Sequence, residues 1–142
     1  MLLQIVYLSN ATREFRDAQV AALARRSAEK NRSHDITGVL YYDSGHFIQC
    51  IEGDDQDLIR LYSRIIDDPR HSDVVTAVIK PIQERSFPDW NMGVVADLPT
   101  EIDFDAVLPL DDARSGAWNE ATWTEILDSF RLATDLNPFP QD

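Results

Sequence analysis

Hydrophobic and polar positions divide the first 95 residues into blocks of two kinds, strand-like and helix-like. Residues 2–8, LLQIVYL, are a nearly continuous apolar run, the pattern of a central strand covered on both sides. The stretch from Phe15 to Lys30 is rich in Ala and Arg and predicts a helix, with Thr12 as its N-cap and Asn31 as its C-cap. Glu14 and Asp17 favour its positive end. Gly38 to Gly53, GVLYYDSGHFIQCIEG, reads as a hairpin around a tight Asp43-Ser44-Gly45 turn. In DDQDLIRLYSRIIDD the residues Leu58, Leu61, Tyr62, Ile65 and Ile66 follow helical spacing, so a second helix follows, capped by Asp54 and ended by Pro69. VVTAVI (74–79) is a β-branched strand stopped by Pro81, and WNMGVV (90–95) is a fifth strand. The order β-α-β-β-α-β-β, with both helices on one sheet face, predicts an α+β ferredoxin-like sandwich.

From Asp97 the pattern changes. Pro99, Pro109 and many acids precede WNEATWTEILDSFRLATDL, where Trp123, Ile126, Leu127 and Phe130 form a narrow apolar stripe at helical spacing. Residues 1–96 are read as one domain, and 97–142 as a C-terminal helical extension over the sheet face that the first two helices leave open. With 142 residues, 44% of them hydrophobic, the chain can bury a real core. Its apolar runs are too short to span a membrane, and MLLQIVYLSN lacks a basic leader and a cleavage site. A single cysteine forms no internal disulfide, which fits the cytoplasm. The net charge of −12 argues against direct contact with nucleic acid. From Asp97 onward 11 acidic residues face 2 basic ones, giving either a solvated tail or a surface that steers a basic partner.

Several chemistries find no support. The five glycines make neither a dinucleotide fingerprint nor a P-loop. His34, His46 and His71 lack metal-ligand spacing, and Cys50 alternates into an apolar row as core packing. What remains is a set of polar groups in apolar settings. Gln49 points the same way as Phe47 and Ile51, and a buried primary amide without partners costs about 1–3 kcal/mol, so it needs them. Tyr7 shares a strand face with Leu3 and Ile5, while Trp90 and Met92 share one on strand five. Taken singly, each has an ordinary explanation as core or cap. Five alanines between Ala18 and Ala28 leave one helix face without bulk, suited to close packing or to a flat ligand.

Together these residues resemble one family. IVYLSN with Tyr7, KNRSHDITGVLYY with Asn31, HFIQCIEG with Gln49, DDPRH, and RSFPDWNM with Trp90 and Met92 are similar to the motifs of a BLUF domain, a blue-light sensor that uses flavin. The resemblance runs from Met1 to Val95; beyond it the chain is similar only to the short helical cap of small stand-alone members. It implies a flavin ring between the two helices, FAD in the cell, with FMN or riboflavin accepted in its place. Gln49 would bond both the Tyr7 hydroxyl and the flavin N5/O4 edge, and Asn31 the O4/N3 side. Lys30 would lie near the pyrimidine edge, Arg70 and His71 near the ribityl phosphate.

By the same resemblance, light drives an electron from Tyr7 to the flavin, a proton follows through Gln49, and recombination leaves Gln49 rearranged and the absorption shifted to the red. Trp90 and Met92 would relay the change to the Trp118–Phe130 helix. This is a switch and not an enzyme. With no effector in the chain, its signal would leave through a downstream protein acting in trans, or through a homodimer or higher homo-oligomer, without nucleic acid or membrane. Two rivals are a flavin-free ferredoxin-like module that binds a ligand or partner, and a small flavin oxidoreductase.

Overall fold

The computed structural model describes residues 1–43, 45–95 and 127–128. Seven elements follow in order: β1 (Leu2–Ala11), α1 (Asp17–Arg32), β2 (Thr37–Asp43), β3 (His46–Asp54), α2 (Asp55–Ile66), β4 (His71–Pro81) and β5 (Gly93–Val95). They build one five-stranded sheet in the order β4-β1-β3-β2-β5. Every pairing is antiparallel except that of β5, which runs parallel to β2. The first four strands make the expected ferredoxin-like arrangement, and β5 is added at the β2 edge.

Strand alternation sorts side chains into two layers. Leu3, Ile5 and Tyr7 of β1, Leu40 of β2, and Phe47 and Ile51 of β3 form one cluster with Val20, Ala24 and Ala28 of α1 and Leu58 and Tyr62 of α2. Both helices therefore lie on the same face. The alanines of α1 that are buried, Ala24 and Ala28, belong to this cluster, which is the close-packing use of small residues. On the other face Val6, Leu8, Val39, Ile48 and Cys50 are buried too. The remainder of the expected extension, the Trp118–Phe130 helix and the boundary at residue 97 lie outside the described residues.

Gln4, Thr37 and Glu52 are polar side chains buried within this second face. Glu52 is fully buried, and its carboxylate accepts from Gln4 Nε2 at 3.0 Å and from the backbone N–H groups of Ser86 and Phe87, each at 2.9 Å. Gln4 Oε1 is buried without a hydrogen-bond partner among the described residues. Nearby, Arg85 donates to Thr37 Oγ1, to the Glu52 carbonyl and to Asp35, so the β4–β5 connection is tied to β3 and to the start of β2.

Four features depart from the sequence pattern, three of them element boundaries and one the side-chain role of a cap. First, α1 begins at Asp17 rather than after Thr12. The Thr12 hydroxyl donates to the Pro69 carbonyl, and Phe15 N donates to the Tyr42 hydroxyl, which holds residues 12–16 out of the helix. Its far end runs through Arg32, with Ser33 as C-cap, so Asn31 lies in the last turn and its amide is free for other work. Second, Asp54 is the N-cap of α2 by position, but its carboxylate bonds the Met1 amine instead of the helix end. Third, β4 extends beyond 74–79 at both ends, because His71 pairs with Ala11 and Pro81 with Leu3 on β1. Fourth, β5 starts at Gly93, so Trp90 and Met92 precede the strand and do not share a strand face. Residues 90–92 form a bend in which the Trp90 carbonyl accepts from Gly38 N at 2.8 Å. A Cβ at Gly93 would stand 2.9 Å from the Trp90 ring, so the indole packs directly on that glycine.

Candidate functional site

Between α1, α2 and the sheet lies a cavity of about 170 Å³. Its apolar walls are Leu23, Leu40, Phe47, Leu61 and Ile65. Into it project Tyr7, Asn31, Gln49 and Met92, with Lys30 and Arg64 from the last turns of the two helices.

The centre of the site follows from sheet register. Tyr7 on β1 and Gln49 on β3 are directly opposed partners, so their side chains stand side by side on the helix face. The Tyr7 hydroxyl donates to Gln49 Oε1, and Gln49 Nε2 donates to Met92 Sδ at 3.4 Å. Gln49 thus uses its acceptor on a strong partner and its donor on a weak one. Tyr7 is 1% exposed, and burial, first, holds its hydroxyl well above the ordinary value of 10.0. It stays protonated and remains a donor across the ordinary pH range. Its ring packs on Tyr62, with centroids 5.2 Å apart.

Asn31, 3% exposed, donates through Nδ2 to the Asn91 carbonyl at 2.8 Å. Among the described residues its Oδ1 accepts no hydrogen bond, and Asn31 lines the cavity. Lys30 and Arg64 make no ion pair among the described residues. Arg70 is committed to Asp68; that hydrogen bond lowers the Asp68 carboxyl and raises the guanidinium. His71 lines the cavity with both ring nitrogens occupied, one at 3.0 Å from Ser9 Oγ and the other donating to the Ile65 carbonyl.

Of the residues singled out by sequence, Tyr7, Lys30, Asn31, Gln49, Arg70, His71 and Met92 meet at this cavity, and Trp90 does not line it. Sequence reasoning missed Ser27, Arg64 and Asp68. A helical projection puts Ser27 and Arg64 on the flanks of their apolar faces, a position that could have found them. Cys50 lies on the opposite face, fully buried, and its thiol is pushed well up by that burial, as core packing requires. Among the described residues no group of three or more His, Cys, Asp or Glu could hold a metal, and no helix is long and apolar enough to cross a membrane.

Flat apolar walls edged by two amides, one with a spare acceptor, fit a planar heteroaromatic ring whose rim alternates donors and acceptors. Flavin is such a ring. The model of a protein family described as "Sensors of blue-light using FAD" matches residues 2–93. The chain belongs to the BLUF family.

The BLUF region is 40% identical over 92 residues to the photoactivated adenylate cyclase subunit beta of Euglena longa, and 38% identical to that of Euglena gracilis. The match takes in 64% of this chain but spans only 11% of each of these curated relatives. Among solved structures, the BLUF protein BlrB in its dark state superposes with a TM-score of 0.72 at 29% identity, over 93% of this chain and 96% of BlrB. A bacterial light-regulated adenylyl cyclase superposes with a TM-score of 0.65 at 26% identity, over 90% of this chain and 36% of the cyclase. As a BLUF protein, this chain is a flavin-based sensor of blue light with the ferredoxin-like fold of its family.

Proposed function

We propose that the protein holds FAD between α1 and α2 and works as a light-driven hydrogen-bond switch centred on Tyr7 and Gln49. The observation that carries this is the chain Tyr7 hydroxyl, Gln49 amide, Met92 thioether at the cavity. Asn31 and Gln49 hold the ring edge, Lys30 and Arg64 supply cationic donors at the mouth, and FMN or riboflavin substitutes for FAD because the specific contacts go to the ring. Arg70 and His71, already bonded within the protein, shape the wall.

Bound flavin supplies absorption in the blue and, when excited, an acceptor for one electron. Tyr7 is the source of that electron and of a proton. Gln49 passes the proton on and returns it, so both come back to Tyr7 and nothing is turned over. That makes the protein a switch and not an enzyme. After the return, the Gln49 amide is left with its donor and acceptor ends exchanged, which breaks its bond to Met92.

A rearranged hydrogen bond is worth about 0.5–1.5 kcal/mol, and tenfold in an equilibrium is about 1.4 kcal/mol. Two such bonds supply a change in partner affinity of about ten- to a hundredfold. The output is a cytoplasmic protein acting in trans, or a change in self-association. The cyclase relatives favour a protein recipient, because the matched region is a small part of their length.

One measurement tests this reading: the absorption spectrum of flavin-loaded protein before and after blue light. A reversible red shift is expected. Tyr7→Phe and Gln49→Leu should stay yellow, release flavin on heating, and lose the shift; a normal shift in either defeats the mechanism. Reduction by a nicotinamide donor without a red shift would favour an oxidoreductase.

A further inference from the structure

The contact between Gln49 Nε2 and Met92 Sδ is long, and sulfur is a weak acceptor. It persists only if the backbone at 91–92 is fixed by something else. Residue 92 lies ahead of β5, so the sheet ladder does not fix it. Three hydrogen bonds converge instead on Asn91. Its carbonyl accepts from Asn31 Nδ2 at 2.8 Å, its Nδ2 donates to the Ile36 carbonyl at 3.0 Å, and its Oδ1 accepts from Arg32 Nε at 3.3 Å. Asn91 thereby bolts the bend to the last turn of α1 and to the lead-in of β2.

We propose that Asn91 is a positioning residue that fixes Met92 against Gln49 and so sets the lifetime of the lit state. The proposal rests on Gln49 rearrangement as the switching event. To return to its dark arrangement the amide must turn past the Met92 thioether. A fixed thioether obstructs that turn, and a loosened one yields to it. Asn31 joins the same device from the other side: it lines the cavity, and its Nδ2 grips the Asn91 carbonyl. A displacement at residue 91 therefore reaches both amides of the site at once, although the Asn91 side chain itself does not line the cavity.

The bland alternative is that Asn91 only satisfies the Ile36 carbonyl and adds stability. Dark recovery separates the two, because global stability does not enter that rate. The experiment uses the full flavin-loaded chain and follows the decay of the red shift after a light pulse in wild type, Asn91→Ala, Met92→Ala and the double variant. Asn91→Ala should recover about fivefold to tenfold faster. In the Met92→Ala background the same change should add less than about twofold, because the group it positions is gone. Arg32→Ala, altering an exposed side chain, removes one of the three bonds and should speed recovery by about twofold to threefold even if Asn91→Ala folds poorly. Recovery of Asn91→Ala at the wild-type rate or slower, or an equal acceleration with and without Met92, overturns the proposal. With a poorly folded Asn91→Ala, an unchanged rate in Arg32→Ala overturns it. A wild type without any red shift would instead defeat the switch itself.

Discussion

Tyr7 and Tyr62 pack ring on ring at a tilt of 45° in the same cluster, yet their hydroxyls lead to different places. Tyr62 bonds the Thr76 hydroxyl on β4, whereas Tyr7 bonds an amide that reaches into the cavity. Under the proposed switch, Tyr7 is therefore the hydroxyl placed to pass a proton toward the cavity. The raised Tyr7 value gives this a pH signature. A group whose folded-state pKa lies above its unfolded one contributes stability that is full below the ordinary value, here 10.0, and lost as pH rises through the folded-state value. The light-induced shift should accordingly survive past pH 10.0, and its amplitude against pH in pulsed illumination checks this. A midpoint below that value would mean that Tyr7 is not the hydroxyl involved. Tyr7 and Gln49 were legible in the sequence because each is a polar group set in an apolar row, whereas Asn31 and Met92 stood out only through the family resemblance. Glu52 was not: it reads as a strand-end acid, and the Ser86 and Phe87 amides that bury it lie more than thirty residues away.

At the scale of elements, the hairpin and α2 were readable because their periodicities are internal to each segment. The start of α1, the ends of β4 and the start of β5 were not, because hydrogen bonds from other segments decide them. The same tertiary ties make one junction brittle. Glu52→Gln replaces a carboxylate oxygen with an amide nitrogen, and whichever oxygen is lost, an N–H donor of Ser86 or Phe87 faces another donor. An unmet buried group costs about 1–3 kcal/mol, so denaturant unfolding should show a loss of that size with an unchanged m-value. Hydrogen exchange should quicken first at Ser86 and Phe87. Stability equal to wild type would mean that the clamp contributes nothing.

Across the whole molecule, β3, like β1 and β2, presents buried side chains to both layers. Gln49 faces the cavity, while Cys50 and Glu52 look into the opposite layer, so a change at the flavin side and a load at the far side bear on one ribbon. The cavity beneath the two helices has a further consequence, and it concerns supply rather than light. A cavity of about 170 Å³ between apolar walls makes the folded state one that flavin can stabilise by mass action. With flavin at about a hundred times its dissociation constant, the folded chain gains about 2.7 kcal/mol, enough to raise the melting temperature by several degrees. Melting curves at rising free flavin should climb logarithmically; a flat series would show that the cavity and the folding equilibrium are unlinked. In a cell, where marginal chains are continually removed by proteolysis, the amount of receptor would then follow the flavin pool. How much light the cell can register is decided, before any photon arrives, by how much vitamin it has to spare.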